Sequence, residues 1–225
     1  MNEPLIECNS LVKRYAGKNT VIEAVSDVNL QVYPNECLLI KGRSGAGKST
    51  LLSLMCGLTN PTSGKVFFEG QCISEMGSMA LSRMLGKQVG IIFQSFNLLP
   101  TYTIYENVEL ALPLARRRSG NVREFMMHQF EQFGLAGITN RFPSELSIGQ
   151  QQKVAIVRTL VKEPSLIFAD EPTGSVDEET AGEIAGHLRN LISGKHATLI
   201  IATHGNFPGG LASRVIHMDN GKLVN

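Results

Sequence analysis

No apolar run in this chain approaches the ~20 residues needed to cross a bilayer, so it is not expected to form a membrane pathway alone. The start, Met1-Asn2-Glu3-Pro4, lacks the charged and then apolar pattern of a secretory leader. Cysteines are few and scattered: Cys8, Cys37, Cys56 and Cys72 form no CxxC pair. Neither a zinc site nor a disulfide framework is expected, and a reducing compartment fits. Cys37 and Cys56 lie in apolar runs and read as small core residues. An excess of one charge is missing too, since 21 Lys and Arg offset 20 Asp and Glu. That balance is too even for a general nucleic-acid footprint, and no nucleic-acid partner is expected. Arg116-Arg117-Arg118, the one basic run, reads as a solvated loop. There is no internal repeat, low-complexity tract or Ser/Gly linker. What remains is globular: 43% hydrophobic and 18% charged residues over 225 positions suit one large domain or two tightly joined subdomains.

Residues 5–12 and 21–33 are rich in Val, Leu and Ile with partial alternation and predict strands. Cys37-Leu38-Leu39-Ile40 predicts a short buried strand, and residues 49–56 a helix that follows a glycine-rich loop. Strands are predicted at 64–69, 88–93, 166–169, 198–202 and, last, 214–218, with a turn at Asp219-Asn220-Gly221. Between them, Val122, Phe125, Met126, Phe130 and Phe133 fall at helical spacing, with Gly134 as a stop. A second helix is predicted over 149–162. Together these imply an α/β core with a largely parallel sheet, into which a helix-rich stretch from about 97 to 160 is inserted.

The loop Gly42-Arg43-Ser44-Gly45-Ala46-Gly47-Lys48-Ser49 matches G-x-x-x-x-G-K-[ST] between a predicted strand and a predicted helix. Its glycines let the backbone curl so that N–H groups point at phosphate oxygens, and the helix offers its positive end to the same anion. Lys48 is placed to reach the β- and γ-phosphates, Ser49 to ligate Mg²⁺, and Thr50 is counted with them. Leu166-Ile167-Phe168-Ala169 is an apolar strand that ends in two acids, Asp170 and Glu171. Buried carboxylates there need a cation or a proton to move. Asp170 is expected to hold the metal's shell. Glu171, pointing the opposite way, is expected to polarise an attacking water.

Leu146-Ser147-Ile148-Gly149-Gln150-Gln151-Gln152, before a helix, resembles the LSGGQ signature of the ATP-binding cassette (ABC) ATPases. Phe93-Gln94 resembles that family's Q-loop, Ser175-Val176-Asp177 its D-loop and His204 its switch histidine, while Tyr15 sits where an adenine-stacking aromatic is expected. The motifs fall in the family's order over nearly the whole chain. Phe93-Gln94-Ser95-Phe96-Asn97-Leu98-Leu99-Pro100, Glu106-Asn107-Val108, the 141–147 segment and Asp170-Glu171-Pro172-Thr173-Gly174 resemble the bacterial lipoprotein-releasing and macrolide-efflux group. The resemblance implies a RecA-like P-loop core with an N-terminal antiparallel β-subdomain and an inserted helical subdomain. It also implies a head-to-tail homodimer with two Mg-ATP at the interface. Each ATP would be held by one chain's P-loop and by the partner's Leu146, Ser147, Ile148, Gly149 and Gln150, with Asp177 nearby. Glu171, His204 and Gln94 would serve hydrolysis, and Ser49, Gln94 and Asp170 the metal. A membrane permease subunit would hold the chain at the cytoplasmic side of the inner membrane, through a short helix seated beside the Q-loop where Phe96, Leu98 and Leu99 supply apolar groups.

Four motifs depart from the pattern. Ile148 replaces a glycine and would suffer if the position needs positive φ, so a slower site is expected. Ser175-Val176 in the D-loop, Gly205 and Arg43 are further changes, and none of them removes a catalytic group. His128, His187, His196 and His217 read as structural or solvated. A chromosome-maintenance ATPase would carry long coiled coils here, and a translation factor would carry two cassettes. An ATPase that drives a division or stress-signalling membrane complex without moving solute stays open.

Overall fold

The computed structural model describes residues 3–17, 20–114, 121–194, 197–205, 207–208 and 210–224; Arg116–Arg118 and His196 lie outside the described residues. Two sheets are present. The first is antiparallel, in the order β2 (Val21–Val32), β1 (Ile6–Ala16), β4 (Ser63–Phe68), β5 (Gln71–Cys72). The second runs β10 (Lys222–Val224), β9 (Arg214–Asp219), β3 (Cys37–Lys41), β8 (Thr198–Thr203), β7 (Leu166–Asp170), β6 (Val89–Ile92), and all its pairs are parallel except β10 with β9.

Alternation along the central strands divides the core into two clusters. Leu38 and Ile40 of β3, Phe168 of β7, and Ile200 and Ala202 of β8 face α1 (Lys48–Met55) and the antiparallel sheet. Cys37, Leu39, Ile167, Ala169, Leu199 and Ile201 face the opposite cluster. That second cluster is closed by α3 (Ile104–Glu109), α4 (Val122–Gln132), α5 (Ile148–Leu160) and α6 (Glu178–Ser193). Strands buried on both faces must be apolar throughout, which is why β7 and β8 read as unbroken apolar runs. The helices α3, α4 and α5 lie between β6 and β7, two strands that pair directly, so the chain leaves the sheet and returns beside its point of exit. Phe133 and Leu135 close α4 around Gly134 (φ 67), with Leu135 N–H donating to Phe130 O at 2.7 Å.

Several elements were not read from sequence: α6, α3, α2 (Ser78–Gln88) and β10. The last strand is therefore β10 rather than β9, and the expected turn at 219–221 joins the two as a hairpin, with Asn220 and Gly221 both left-handed (φ 46 and 80). Among the described residues no helix is long and apolar enough to cross a membrane.

Candidate functional site

The ends of four neighbouring parallel strands meet at one edge, the place where open α/β sheets bind ligands. β3 leads into the glycine-rich loop, β6 into Gln94, β7 into the acidic pair and β8 into His204. Ser44, Gly45, Gly47, Lys48, Ser49, Thr50, Gln94, Glu171 and His204 line a single cavity of about 320 Å³, together with Ala24.

The loop is braced from two sides. Gly47 (φ 102) caps α1, and a Cβ there would lie 2.1 Å from Ala24 O; a Cβ at Gly42 would lie 2.2 Å from Met218 O. Only glycine fits either approach. The β9–β10 turn adds hydrogen bonds: Gly221 N–H donates to Ala46 O at 3.0 Å, and Gly221 O accepts from Ser26 N–H at 2.8 Å. Lys48 is 6% exposed, and its ammonium donates to Gly42 O at 2.8 Å and Arg43 O at 3.1 Å. Ala46 is buried behind the loop and the Arg43 side chain is exposed. The first-turn N–H groups of α1 have no intrahelical partner and face this end.

Opposite the loop, Glu171 is 8% exposed. Its Oε1 lies 2.8 Å from His204 Nδ1 and 3.9 Å from Lys48 Nζ, and its Oε2 accepts from the Thr203 hydroxyl at 3.1 Å. Strand alternation would have sent it away from Asp170. Instead Glu171 has φ 47, which breaks the alternation just past β7, and both acids act on the loop. Asp170 accepts from the Ser49 hydroxyl, yet burial, reinforced by the Glu171 charge, raises its pKa. Its Oδ1 is buried with no hydrogen-bond partner among the described residues. An orphaned carboxylate oxygen beside a hydroxyl fits a hard cation that takes few protein ligands and completes its shell from phosphate and water, as Mg²⁺ does. No group of three or more His, Cys, Asp and Glu that could hold a metal is present among the described residues.

The other expected site residues lie elsewhere. Tyr15, on β1, is 45% exposed and does not line the cavity; the Lys13 ammonium sits over its ring, 5.2 Å from the centroid. Leu146, Ser147, Ile148, Gly149 and Gln150 do not line it either. Ser147 caps α5 in a capping box, accepting from Gln150 N–H at 3.2 Å while its own N–H donates to Gln150 Oε1 at 3.0 Å. Ile148 is the first residue of α5 and has no positive φ, so the expected backbone strain is absent; its side chain is 54% exposed. Asp177 caps α6 through Thr180 N–H at 2.9 Å, and a Cβ on Gly149 would lie 3.3 Å from Thr180 Cγ2, so signature and D-loop are neighbours within the chain. Those hydrogen bonds from Thr180 hold the Asp177 pKa below its usual value.

Beside the Q-loop lies a separate groove of about 520 Å³, lined by Leu81, Leu85, Phe93, Leu110 and Leu114 among others. Phe96, Leu98 and Leu99 do not line it; Leu98 packs instead against the second core cluster, and Leu99 is exposed. Among the histidines given a bland reading, His187 stacks on Phe133 with centroids 3.9 Å apart, and burial lowers its pKa. Sequence reasoning missed Thr203 and Ala24. A hydroxyl ending an apolar strand beside His204 was a usable signal for Thr203; Ala24 is used through its backbone and carried none.

The family model described as ABC transporter matches residues 25–174, more than half of the chain. The chain is similar to the ATP-binding cassette MJ0796, whose structure is described as a dimeric post-hydrolysis state bound to ADP and Pi. The TM-score is 0.91 at 31% identity, over 98% of this chain and 97% of that one. A further structure, described as the dimeric structure of MJ0796, a bacterial ABC transporter cassette, gives a TM-score of 0.91 at 32% identity over the same shares.

Proposed function

We propose a function from one premise: the chain belongs to the ABC transporter family. It is an ATP-hydrolysing cassette, and the dimeric form of the similar structures supports action as a homodimer. In our reading the N–H groups of the 42–50 loop and the N-terminal end of α1 receive the phosphates, and Lys48 exchanges its two carbonyl partners for β- and γ-phosphate oxygens. Glu171 polarises the attacking water, held in aim by the Thr203 hydroxyl and by His204, which also contacts the γ-phosphate. Gln94 touches the same water, and Tyr15 stacks on the adenine. Ser49, Asp170 and Gln94 would hold Mg²⁺, which when bound neutralises charge on the β- and γ-phosphates.

The signature residues Leu146 to Gln150, with Asp177, serve the ATP of the partner chain in a head-to-tail pair. Their absence from the lining of their own chain's cavity supports this. We take residues 97–160 as the helical subdomain that carries the signature. A permease subunit docks a short cytoplasmic helix in the groove around Leu81, Phe93 and Leu110, holding the cassette at the cytoplasmic side of the inner membrane. ATP cycles then drive lipoprotein extraction or export, efflux or force transmission in that subunit. The observation that carries the reading is Glu171, buried and aimed into the cavity that holds Lys48. The test is ATP binding and phosphate release by Lys48→Ala and Glu171→Gln. The first is expected to lose ATP binding; the second to bind ATP and release phosphate at least about a hundredfold more slowly. Wild-type turnover in either variant contradicts the assignment.

A further inference from the structure

Gln94 enters the cavity from a segment that two helices hold by its backbone. Asn107 of α3 is fully buried; its Oδ1 accepts from Leu99 N–H at 2.7 Å, and its Nδ2 donates to the carbonyls of Leu99, Tyr102 and Thr103 at 3.1, 3.0 and 3.0 Å. Nearer to Gln94, the hold comes from α5. Arg158, in the last turn of that helix, donates from Nη1 to Asn97 O at 2.6 Å and from Nη2 to Phe96 O at 2.7 Å. Phe96 and Asn97 are both left-handed, at φ 59 and 49, a region that side chains with a Cβ enter at a cost. The planar guanidinium satisfies two successive carbonyls at once, which a point charge does less well. At the other end of the same helix stands Ser147, the signature cap, about 16 Å away at 1.5 Å rise per residue.

We propose that Arg158 is a positioning residue for ATP hydrolysis: its guanidinium fastens the left-handed pair Phe96 and Asn97 to the signature helix, so that Gln94 and Ser147 move as one rigid unit. The inference rests on the reading of Gln94 as part of the hydrolytic site. Without the guanidinium, both carbonyls lose their donors and the left-handed pair relaxes. Gln94 then loses its register, while the glycine-rich loop, braced by Ala24 and the β9–β10 turn, keeps its shape. ATP binding and turnover therefore separate.

The experiment is steady-state ATPase, ATP affinity and thermal midpoint for the full chain as wild type, Arg158→Met, Arg158→Lys, Gln94→Ala and the Gln94→Ala/Arg158→Met double variant. Arg158→Met is expected to lower kcat at least about tenfold with ATP affinity within about twofold, and Arg158→Lys to recover part of the loss. The double variant is expected to be no slower than Gln94→Ala alone, because the two residues act through one geometry. A double variant whose defect is the product of the single ones overturns the proposal, as does a loss of kcat that merely follows a lowered midpoint. If Arg158→Met does not fold, Arg158→Lys in the Gln94→Ala background makes the same comparison. Gln94→Ala with wild-type turnover overturns the underlying reading instead, and that outcome is visible separately.

Discussion

Burial raises the pKa of Asp170, and the Glu171 charge pushes the same way, while the Ser49 hydroxyl and the Lys48 ammonium oppose them. A carboxyl whose folded pKa exceeds its unfolded value binds more protons folded than unfolded between the two. Its contribution to stability therefore falls as pH rises from its ordinary 3.8 through the raised value and stays lost above it. At neutral pH, Asp170 costs stability. Asp170→Asn is expected to melt at or above the wild-type temperature at pH 7, with the difference shrinking toward pH 4, while phosphate release falls at least about tenfold. Melting curves across pH, alongside a turnover assay, check both halves; a variant that melts lower at pH 7 removes the argument. At this scale the loop at 42–49 was legible because its chemistry is contiguous. The relation of Asp170 to Glu171 was misread because strand alternation was carried one residue too far, past a left-handed turn. Ala24 reaches the site through its backbone from a strand distant in sequence, where no local spacing reports it, whereas Thr203 had a signal in its place directly before His204.

Among the elements, α5 changes the meaning of a departure from the signature. Ile148 stands at the start of a capped helix, where glycine is the worse helix former. With no positive φ to relieve, Ile148→Gly is expected to leave turnover unchanged or lower and to cost up to about 1 kcal/mol in urea unfolding. A rise in turnover would restore the idea of a strained signature. The helix α6 escaped sequence reading for a related reason. Its buried stripe of Ala181, Ile184, Ala185 and Leu188 is half alanine, and Gly182 and Gly186 interrupt the helix-forming run. The helix α2 fully buries only Leu85, with Leu81 and Met84 half-buried beside it, a stripe too short to stand out from the sequence. By contrast α4 and α5 bury Phe130 or a run of Val and Ile, and β7 and β8 are apolar on both faces; these were legible from their residues alone.

For the whole molecule, the signature's proposed role at a partner chain's ATP makes hydrolysis a property of a pair, in keeping with the dimeric form of the similar structures. Glu171→Gln with ATP and Mg²⁺ is expected to shift to twice the protomer mass by light scattering, and Lys48→Ala under the same conditions to remain at one. A Glu171→Gln protein that stays at one mass at high concentration excludes a shared site. The brace on the phosphate loop has a further consequence, one of timing. Ribosomes release the loop before the β9–β10 hairpin, and domains begin to fold as they emerge. Yet the loop's shape depends on Met218 and Gly221, which are translated long after it. Until that hairpin is made, a nascent chain carries the phosphate-binding sequence without its finished cradle, so competence to capture nucleotide waits on residues far downstream of the loop itself.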